Sequence, residues 1–268
     1  MRLDAPAAGR ANALGVRDVV VRYGALTALE GVTVTFPPGG ICGVIGPNGA
    51  GKTTLLNAVS GFTEITSGAI VLGDTDITAL DIRRRVGLGV VRGFQTPRVL
   101  DQETVRTNVA VGCEPLGHPS ILSQLLNLPA QRRAEARDAR LVDGILDVLG
   151  LAGFAERKVD ELPFAIRRLV EVGRVLVAQP KVMLLDEPAA GVDEPGRNAL
   201  AEVIRRIHGE MVMTVVVVEH NVDFVGRLCQ YAVALDSGRV ISNGPVGEVL
   251  ADDTVRVAYF GVERHVAS

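Results

Sequence analysis

Short apolar runs alternate with amphipathic stretches along most of this chain. Residues 41–45 and 182–185 are continuously apolar, which is typical of strands buried on both faces. The other strand patterns are residues 16–23, 31–36, 68–73, 89–95, 211–220, 231–236 and 238–244, the last two joined by a Ser237-Gly238 turn. Helical spacing is found at residues 53–61, 79–87, 130–150, 194–210, 221–230 and 246–260, and in a helix opened by Pro163. This alternation predicts an α/β fold in which a mostly parallel sheet carries helices on both faces.

The stretch of residues 97–166 departs from this alternation. Strand patterns stop there, and residues 130–150 form one long amphipathic helical pattern. We therefore predict a core of residues 15–96 and 167–268, interrupted by a helical subdomain. Residues 1–14 are rich in alanine and glycine, lack the apolar centre of a signal peptide, and are expected to form a flexible tail.

Composition excludes several classes of protein. With 268 residues, of which 47% are apolar, the chain can bury a large core, yet no run reaches the ~18 consecutive apolar residues of a membrane helix. A net charge of −3 does not indicate binding to nucleic acid or to anionic lipid. Cys42, Cys113 and Cys229 are odd in number and widely spaced. They form no disulfide or metal pattern, and a reduced, cytosolic setting fits them best.

The sequence GPNGAGKT, at residues 46–53, matches a phosphate-binding loop placed between a strand and a helix. Its glycines allow backbone N–H groups to face phosphate oxygens, aided by the helix N-terminus. Lys52 is placed to reach the β- and γ-phosphates, Thr53 to coordinate Mg²⁺ and Thr54 to bond the α-phosphate. A glycine-rich turn with an accidental Lys-Thr pair is the alternative, which the flanking strand and helix disfavour. The predicted ATP contacts here are Gly46, Pro47, Asn48, Gly49, Ala50, Gly51, Lys52, Thr53 and Thr54.

Two acids, Asp186 and Glu187, follow the apolar run at residues 182–185. An aspartate at the tip of such a strand suits a Mg²⁺ ion held through water, and the glutamate after it can polarise the attacking water as a general base. Two acids could instead begin the following helix at its positive end. Beside a phosphate-binding loop, the predicted activity is ATP hydrolysis with Mg²⁺ as the cofactor.

Five motifs carry a resemblance to the ATP-binding subunits of ABC transporters. In chain order they are GPNGAGKTT, GFQTP, LPFAIRRLVEVGR, VMLLDEPAAGVD and VVEHNVDFV, and the resemblance spans residues 16–261. It implies a P-loop NTPase core with an antiparallel β subdomain and a helical subdomain that is specific to this family. It also implies a dimer in which each ATP lies between one subunit's phosphate-binding loop and the other subunit's signature helix.

Four further residues take their roles from this resemblance. Tyr23 matches the aromatic residue that stacks on adenine, and Gln95 matches the glutamine that contacts Mg²⁺ and water and senses the transmembrane partner. His220 matches the histidine that holds the γ-phosphate, and Asp193 lies in the loop that crosses to the partner's site. For Tyr23 and His220 a structural role in the core or at a strand end is the alternative. The implied catalytic set is Glu187, His220 and Gln95, and the implied metal set is Thr53, Gln95 and Asp186.

The signature segment departs from the family. Where the family has Leu-Ser-Gly-Gly-Gln, this chain has Leu162-Pro163-Phe164-Ala165-Ile166. Pro163 lacks the hydroxyl and the N–H that could bond phosphate, although proline fits the first turn of a helix. Ala165 costs about 1–2 kcal/mol if its φ is positive and very little if its φ is helical. The resemblance thus implies that Pro163, Phe164 and Ala165 offer a weakened signature to the partner's site.

This weakened signature bears on the partners. The chain's own site can hydrolyse ATP if a second ATP-binding subunit supplies a complete signature, so we expect a heterodimer, with a slow homodimer as the alternative. A regulatory nucleotide-binding subunit that barely hydrolyses ATP is another interpretation, which Glu187 and His220 disfavour. Closure of the dimer is expected to reach the membrane protein through a groove near Gln95 and Arg98.

Only sequence resemblance indicates the type of transporter. Residues 92–112 and the sequences DEPAAGVD and VRVAYFG resemble importers of branched-chain and other hydrophobic amino acids, a group whose traits the urea and amide importers share, and a lipopolysaccharide-export ATPase is also close. The resemblance implies transmembrane permease subunits, an indirect periplasmic or extracellular solute-binding protein, and a peripheral position on the cytoplasmic face of the plasma membrane. A soluble ABC ATPase acting on ribosomes or DNA is disfavoured, because a second cassette and a long coiled-coil insertion are both missing from the sequence.

Overall fold

Ten strands and nine helices form the part of the chain that the computed structural model describes, which is residues 12–93, 99–113 and 129–260. The strands are β1 (Leu14–Tyr23), β2 (Leu26–Phe36), β3 (Ile41–Ile45), β4 (Ser67–Leu72), β5 (Thr75–Asp76), β6 (Val90–Arg92), β7 (Val182–Asp186), β8 (Thr214–Val218), β9 (Tyr231–Asp236) and β10 (Arg239–Pro245). The helices are α1 (Lys52–Ser60), α2 (Ile82–Gly87), α3 (Val105–Val111), α4 (Pro129–Leu149), α5 (Phe164–Leu176), α6 (Glu194–Glu210), α7 (Val222–Leu228), α8 (Val246–Ala251) and α9 (Asp253–Phe260).

The larger sheet has the strand order β10-β9-β3-β8-β7-β6. Strands β9, β3, β8, β7 and β6 run parallel, and β10 is an antiparallel edge strand. The hairpin from β9 to β10 turns at Ser237 and Gly238, whose φ angles of 48° and 78° are both in the left-handed region that a tight hairpin turn requires. This confirms the predicted fold class and the predicted turn.

The two faces of the larger sheet bury different cores. In β7, Val182 and Leu184 face the core shared with β1, β2 and α1, whereas Met183 and Leu185 face the core shared with α5, α6 and α7. Every residue of β7 is buried. Burial on both faces explains why this strand reads as a continuous apolar run instead of an alternating one.

A second, antiparallel sheet has the order β2-β1-β4-β5. Strand β2 begins at Leu26, earlier than the pattern at residues 31–36 predicted, because Gly31 has φ 65° and interrupts the alternation. Asp18 in β1 has φ 50°, and the pairing of β1 with β2 shifts register around it. These bulges tighten the local twist and hide part of the strand pattern.

The helices α3, α4 and α5 pack together outside the core sheets. Asn108 in α3 is fully buried, and its side chain accepts from the N–H of Leu100 at 2.7 Å and donates to the carbonyl of the same residue at 3.0 Å. Gly112 ends α3 so close to α5 that an added Cβ would overlap the carbonyl oxygen of Arg174. The division of the chain at residues 97 and 166 stays a prediction.

Several element ends differ from the sequence pattern. Helix α3 and the two-residue β5 were not predicted, and β8 is confined to five of the ten residues at 211–220. Helix α2 begins at Ile82, later than the predicted start at residue 79, because the side chain of Asp81 accepts from the N–H of Arg84 and caps the helix there. Among the described residues, no helix is both long and apolar enough to cross a bilayer. The three cysteines are buried and unpaired.

Candidate nucleotide site

The carboxyl ends of three neighbouring parallel strands meet at one edge of the larger sheet. Strand β8 lies between β3 and β7, and Val218 at its end is paired with Val44 on one side and Asp186 on the other. The loop of residues 46–51 continues β3, and His220 follows β8. Because ligands of open α/β sheets bind outside the carboxyl ends of the strands, this edge is the candidate nucleotide site.

The path of the loop is imposed by the packing around its glycines. Gly46 has φ 151°, and an added Cβ would overlap the carbonyl oxygen of Leu235. Gly51 has φ 99°, and its Cβ would lie 2.8 Å from the carbonyl oxygen of Ala28. The N–H of Gly238 also donates to the carbonyl of Ala50 at 3.1 Å. Strand β2 and the β9–β10 hairpin therefore fix the loop from behind.

The outer side of the loop is open. Asn48, Gly49 and Thr53 are exposed. Helix α1 begins behind Gly51, which has no side chain to cap it. The first N–H groups of a helix lack partners inside the helix and carry its positive dipole end. The loop and the first turn of α1 thus offer a surface suited to phosphate.

Lys52 lies inside the loop. Its side chain is buried, and Nζ donates to the carbonyls of Gly46 at 2.7 Å and Pro47 at 2.9 Å. Burial lowers the pKa of Lys52, and the nearby carboxylates of Glu187 and Asp186 oppose that change. The structure therefore brings the loop lysine and the two acids into one electrostatic site.

Asp186 is buried at the end of β7, with 2% of its surface exposed. Its Oδ2 accepts from Nη2 of Arg92 at 2.7 Å. Its Oδ1 is also buried and finds no hydrogen-bond partner among the described residues. Buried carboxylate oxygens are rarely left without a partner. An orphaned oxygen beside a phosphate-binding loop fits Mg²⁺ or a water that Mg²⁺ holds.

Glu187 leaves the strand through a sharp backbone turn. Its φ is 48°, and its N–H donates to the carbonyl of Val218 at 2.9 Å. A residue other than glycine held in this region is strained and is often found at functional sites. Its Oε1 lies 3.9 Å from Nδ1 of the exposed His220. Glu187 and His220 are thus brought together at the carboxyl ends of β7 and β8.

Sequence reasoning missed Glu219. This carboxylate is fully buried, and its Oε1 accepts from the N–H of Ala189 at 2.8 Å while Oε2 accepts from the N–H of His220 at 3.3 Å. Burial raises the pKa of Glu219. The side chain ties the segment after Glu187 to the end of β8. The sequence signal that could have indicated Glu219 is an acidic residue directly after the buried strand β8.

The remaining predicted nucleotide contacts are placed less directly. Tyr23 ends β1 with 49% of its surface exposed, and its hydroxyl lies 3.1 Å from Oγ1 of Thr63 in the segment after α1. Thr54 is in the first turn of α1 beside the exposed Thr53. Gln95 lies outside the residues that the structure describes.

The predicted partner-facing residues form a second cluster. The ring of Phe164 packs on Gly191, since a Cβ added to Gly191 would lie 3.4 Å from Cε1 of Phe164. The guanidinium carbon of Arg168 lies 5.1 Å from the centroid of the same ring. Asp193 caps α6 by accepting from the N–H of Gly196 at 3.1 Å. The signature segment and the loop before α6 thus share one surface.

The start of the signature helix differs slightly from the prediction. Helix α5 begins at Phe164, and Pro163 precedes it as the N-cap with φ −55° and ψ 149°. The carbonyl of Pro163 accepts from the N–H groups of Ile166 and Arg167 at 3.0 and 3.1 Å. Ala165 lies inside the helix, and it is not one of the described residues whose φ is positive. Alanine at this position therefore costs the backbone little free energy.

A groove opens between the sheet edge at β6 and the helices α2, α3 and α5. Its volume is about 380 Å³, and its lining includes Phe62, Ile82, Val91, Arg92, Val175 and Ala178. Phe62 and Ile82 are 47% and 38% exposed. Large apolar side chains exposed around a concave surface are typical of a protein interface.

This chain is similar to several known proteins. The family model described as "ABC transporter" matches residues 29–190. The high-affinity branched-chain amino acid transport ATP-binding protein LivG of Escherichia coli (strain K12) is 32% identical over 248 residues, which are 92% of this chain and 97% of LivG. BraF of Pseudomonas aeruginosa, which carries the same description, is 31% identical with the same coverage. The crystal structure of a nucleotide-free ATP-binding cassette from an ABC transporter is similar with a TM-score of 0.80 at 30% identity, and the match covers 94% of this chain and 100% of that one.

Proposed function

Since the chain belongs to the ABC transporter family as an ATP-binding subunit that hydrolyses ATP, we propose that it powers the uptake of branched-chain amino acids, other hydrophobic amino acids or related small amides. The observation that carries this proposal is the 32% identity with LivG along 97% of that protein. Other subunits select the substrate, so this chain supplies the energy and not the specificity.

The phosphates of ATP are assigned to the loop of residues 46–51 and the first turn of α1. Backbone N–H groups of the loop receive phosphate oxygens, and Lys52 turns from the loop carbonyls towards the β- and γ-phosphates. Thr54 bonds the α-phosphate, and the exposed ring of Tyr23 stacks on adenine.

The residues that would hold Mg²⁺ are Thr53, Asp186 and Gln95. The orphaned Oδ1 of Asp186 supports this assignment, because it is the one buried carboxylate oxygen with no hydrogen-bond partner among the described residues. When bound, Mg²⁺ neutralises the charge that develops on the β- and γ-phosphates.

Hydrolysis is assigned to Glu187 and His220. Glu187 accepts a proton from the attacking water, whose oxygen forms a bond to the γ-phosphorus while the bond to the β-phosphate oxygen breaks and ADP leaves. His220 holds the γ-phosphate during this step. The separation of 3.9 Å between Glu187 Oε1 and His220 Nδ1 allows both side chains to reach one phosphoryl group.

A second ATP-binding subunit completes each site. The segment at Pro163, Phe164 and Ala165 faces the partner's ATP, and Asp193 lies in the crossing loop. Proline at the N-cap offers neither a hydroxyl nor an N–H to phosphate. Because Ala165 has a helical φ, its methyl group is the change that matters there. These two departures favour a heterodimer in which the partner brings the complete signature.

The groove beside β6 is proposed as the docking site of the transmembrane permease. Its lining includes Phe62 and Val175 of the predicted core and Val111 and Gly112 of the predicted helical subdomain, so closure of one predicted unit on the other would change its width. Docking there places the chain peripherally on the cytoplasmic face of the plasma membrane. A solute-binding protein outside the membrane is an indirect partner.

The test is the uptake of radiolabelled leucine by cells of the source organism that lack this chain. Wild-type chain is expected to restore uptake, and Glu187→Gln, expressed to the same level, is expected not to. Restoration by both would instead identify a regulatory subunit, the function that the weakened signature also favours. Normal leucine uptake without the chain would contradict the proposed substrate class.

A further inference from the structure

Arg92, at the end of β6, connects the groove to the acid assigned to Mg²⁺. Its Nη2 donates to Oδ2 of Asp186 at 2.7 Å, and its Nη1 donates to Oδ1 of Asn57 at 2.5 Å. Its guanidinium carbon lies 5.6 Å from the ring centroid of Phe62. Both Arg92 and Phe62 line the groove. One side chain therefore spans the distance between a surface open to a partner and a buried carboxylate.

Within the described part of the chain, the hydrogen bonds of the guanidinium are made by its two terminal nitrogens, and Nη1 also donates to Oγ of Ser60 at 3.5 Å. The Arg92 side chain is 10% exposed and that of Asp186 is fully buried. The third nitrogen, Nε, is buried and has no acceptor among the described residues. Planar two-ended contacts make arginine geometrically specific. A shift of the ring of Phe62 would therefore tilt the guanidinium and, with it, the carboxylate.

We propose that Arg92 is a positioning residue that aims the Oδ1 of Asp186 at the divalent cation and makes the cation affinity depend on what occupies the groove at Phe62. The proposal rests on the proposed function, because the occupant is a segment of the permease. Arg92 takes one oxygen of Asp186 and leaves the other for the metal. Partners of this kind behind a metal ligand are worth 10–100-fold in metal affinity or activity.

The simpler interpretation is that Arg92 only compensates the buried charge of Asp186. Under that interpretation a lysine, which keeps the charge but has no planar fork, would serve as well. A change at Phe62 would then leave the metal site unaltered, because the ring of Phe62 carries no charge. The two interpretations therefore differ at Arg92→Lys and at Phe62→Leu.

The experiment measures Mn²⁺ binding to the full chain by electron paramagnetic resonance in the presence of a non-hydrolysable ATP analogue. We expect Arg92→Lys to weaken Mn²⁺ binding about tenfold, with unchanged binding of the analogue when metal is absent. Phe62→Leu should weaken Mn²⁺ binding by a smaller factor, and the double variant should bind no more weakly than Arg92→Lys alone. The control is Ile82→Val in the same groove. Its aliphatic side chain can neither stack on Arg92 nor hydrogen-bond to it, so this variant should bind Mn²⁺ as tightly as the wild type does.

Each result has a distinct meaning. Wild-type Mn²⁺ affinity in Arg92→Lys would overturn the proposal, as would an effect of Phe62→Leu that adds in full to that of Arg92→Lys. If Arg92→Lys unfolds below the assay temperature, the proposal is tested by comparing Phe62→Leu, a change at a half-exposed side chain, with Ile82→Val. Weaker Mn²⁺ binding by Phe62→Leu would support the proposal, and equal binding by the two variants would overturn it. Failure of the wild-type chain to bind the analogue with Mn²⁺ would instead contradict the proposed function itself.

Discussion

Lys52, Asp186 and Glu187 depend on different neighbours for their positions. Lys52 is held by the carbonyls of its own loop, Asp186 by Arg92, and Glu187 by a left-handed backbone turn bonded to Val218. The hydrogen bonds that support the three residues come from different partners. A substitution can therefore weaken phosphate binding, metal binding or proton transfer separately.

One support of the phosphate loop comes from the far end of the chain. The hydroxyl of Tyr259 in α9 accepts from the N–H of Gly46 at 2.6 Å. Burial raises the pKa of Tyr259, so its hydroxyl stays protonated. Gly46 is itself buried, and its N–H would lose this partner if the hydroxyl were removed.

Tyr259→Phe is expected to loosen the loop. An unsatisfied buried N–H costs about 1–3 kcal/mol, so the free energy of unfolding should fall by that amount. ATP binding should weaken by about 2- to 10-fold, which corresponds to about 0.4–1.4 kcal/mol, because only part of the cost of the lost hydrogen bond falls on the ATP-bound state. Urea unfolding and titration with a fluorescent ATP analogue measure the two effects. The control is Tyr231→Phe at an exposed tyrosine, and equal ATP affinity in both variants would contradict this role for Tyr259.

The residues that the sequence indicated lie together in short motifs, whereas Arg92 and Tyr259, which it did not indicate, contact residues far away in the chain. The loop and the acid pair could be predicted, because their chemistry depends on neighbours in the chain. Arg92 is 94 positions from Asp186, and Tyr259 is 213 positions from Gly46. No local pattern predicts such pairs, since the fold alone brings them together.

At the scale of elements, the contact between α3 and α5 determines how the signature helix is held. The end of α3 approaches α5 at Gly112. In α5, a Cβ added to Gly173 would lie 3.0 Å from the side chains of both Leu149 and Val109. Glycine permits this close approach, which a larger residue would prevent. The sequence predicted α5 but not α3.

Gly112→Ala is expected to push α3 away from α5. The added methyl group would overlap a backbone carbonyl, and overpacking of this kind typically costs about 1–3 kcal/mol. Thermal unfolding measures the loss. Gly87→Ala is the matched control, because Gly87 ends α2 with no atom within 4 Å of an added Cβ, and alanine there should be neutral or stabilising. Equal melting temperatures for both variants would contradict the close contact.

At the scale of the whole molecule, the phosphate-binding loop, Asp186 and Glu187 lie at one edge of the larger sheet, and the signature segment begins a separate helix, α5. The alternation of strands and helices predicted the parallel sheet, since two-sided burial leaves a continuous apolar run that local sequence can reveal. The sequence predicted a groove near Gln95 and Arg98, two residues that lie outside the described part of the chain. That Phe62 and Arg92 line a groove could not be predicted, because the two residues belong to segments distant in sequence. The sequence also could not decide the φ of Ala165, on which the cost of the altered signature depended.

The central claim is that this chain carries a site able to hydrolyse ATP and a signature too weak to complete a second one. The measurement that tests it most directly is the rate of ATP turnover by the purified chain against its own concentration, with Glu187→Gln as the control. The account predicts that Mg-ATP binds while turnover stays near that of Glu187→Gln at every concentration. Turnover that rises faster than linearly with concentration and vanishes in Glu187→Gln would contradict the claim, because two copies of this chain would then complete the site.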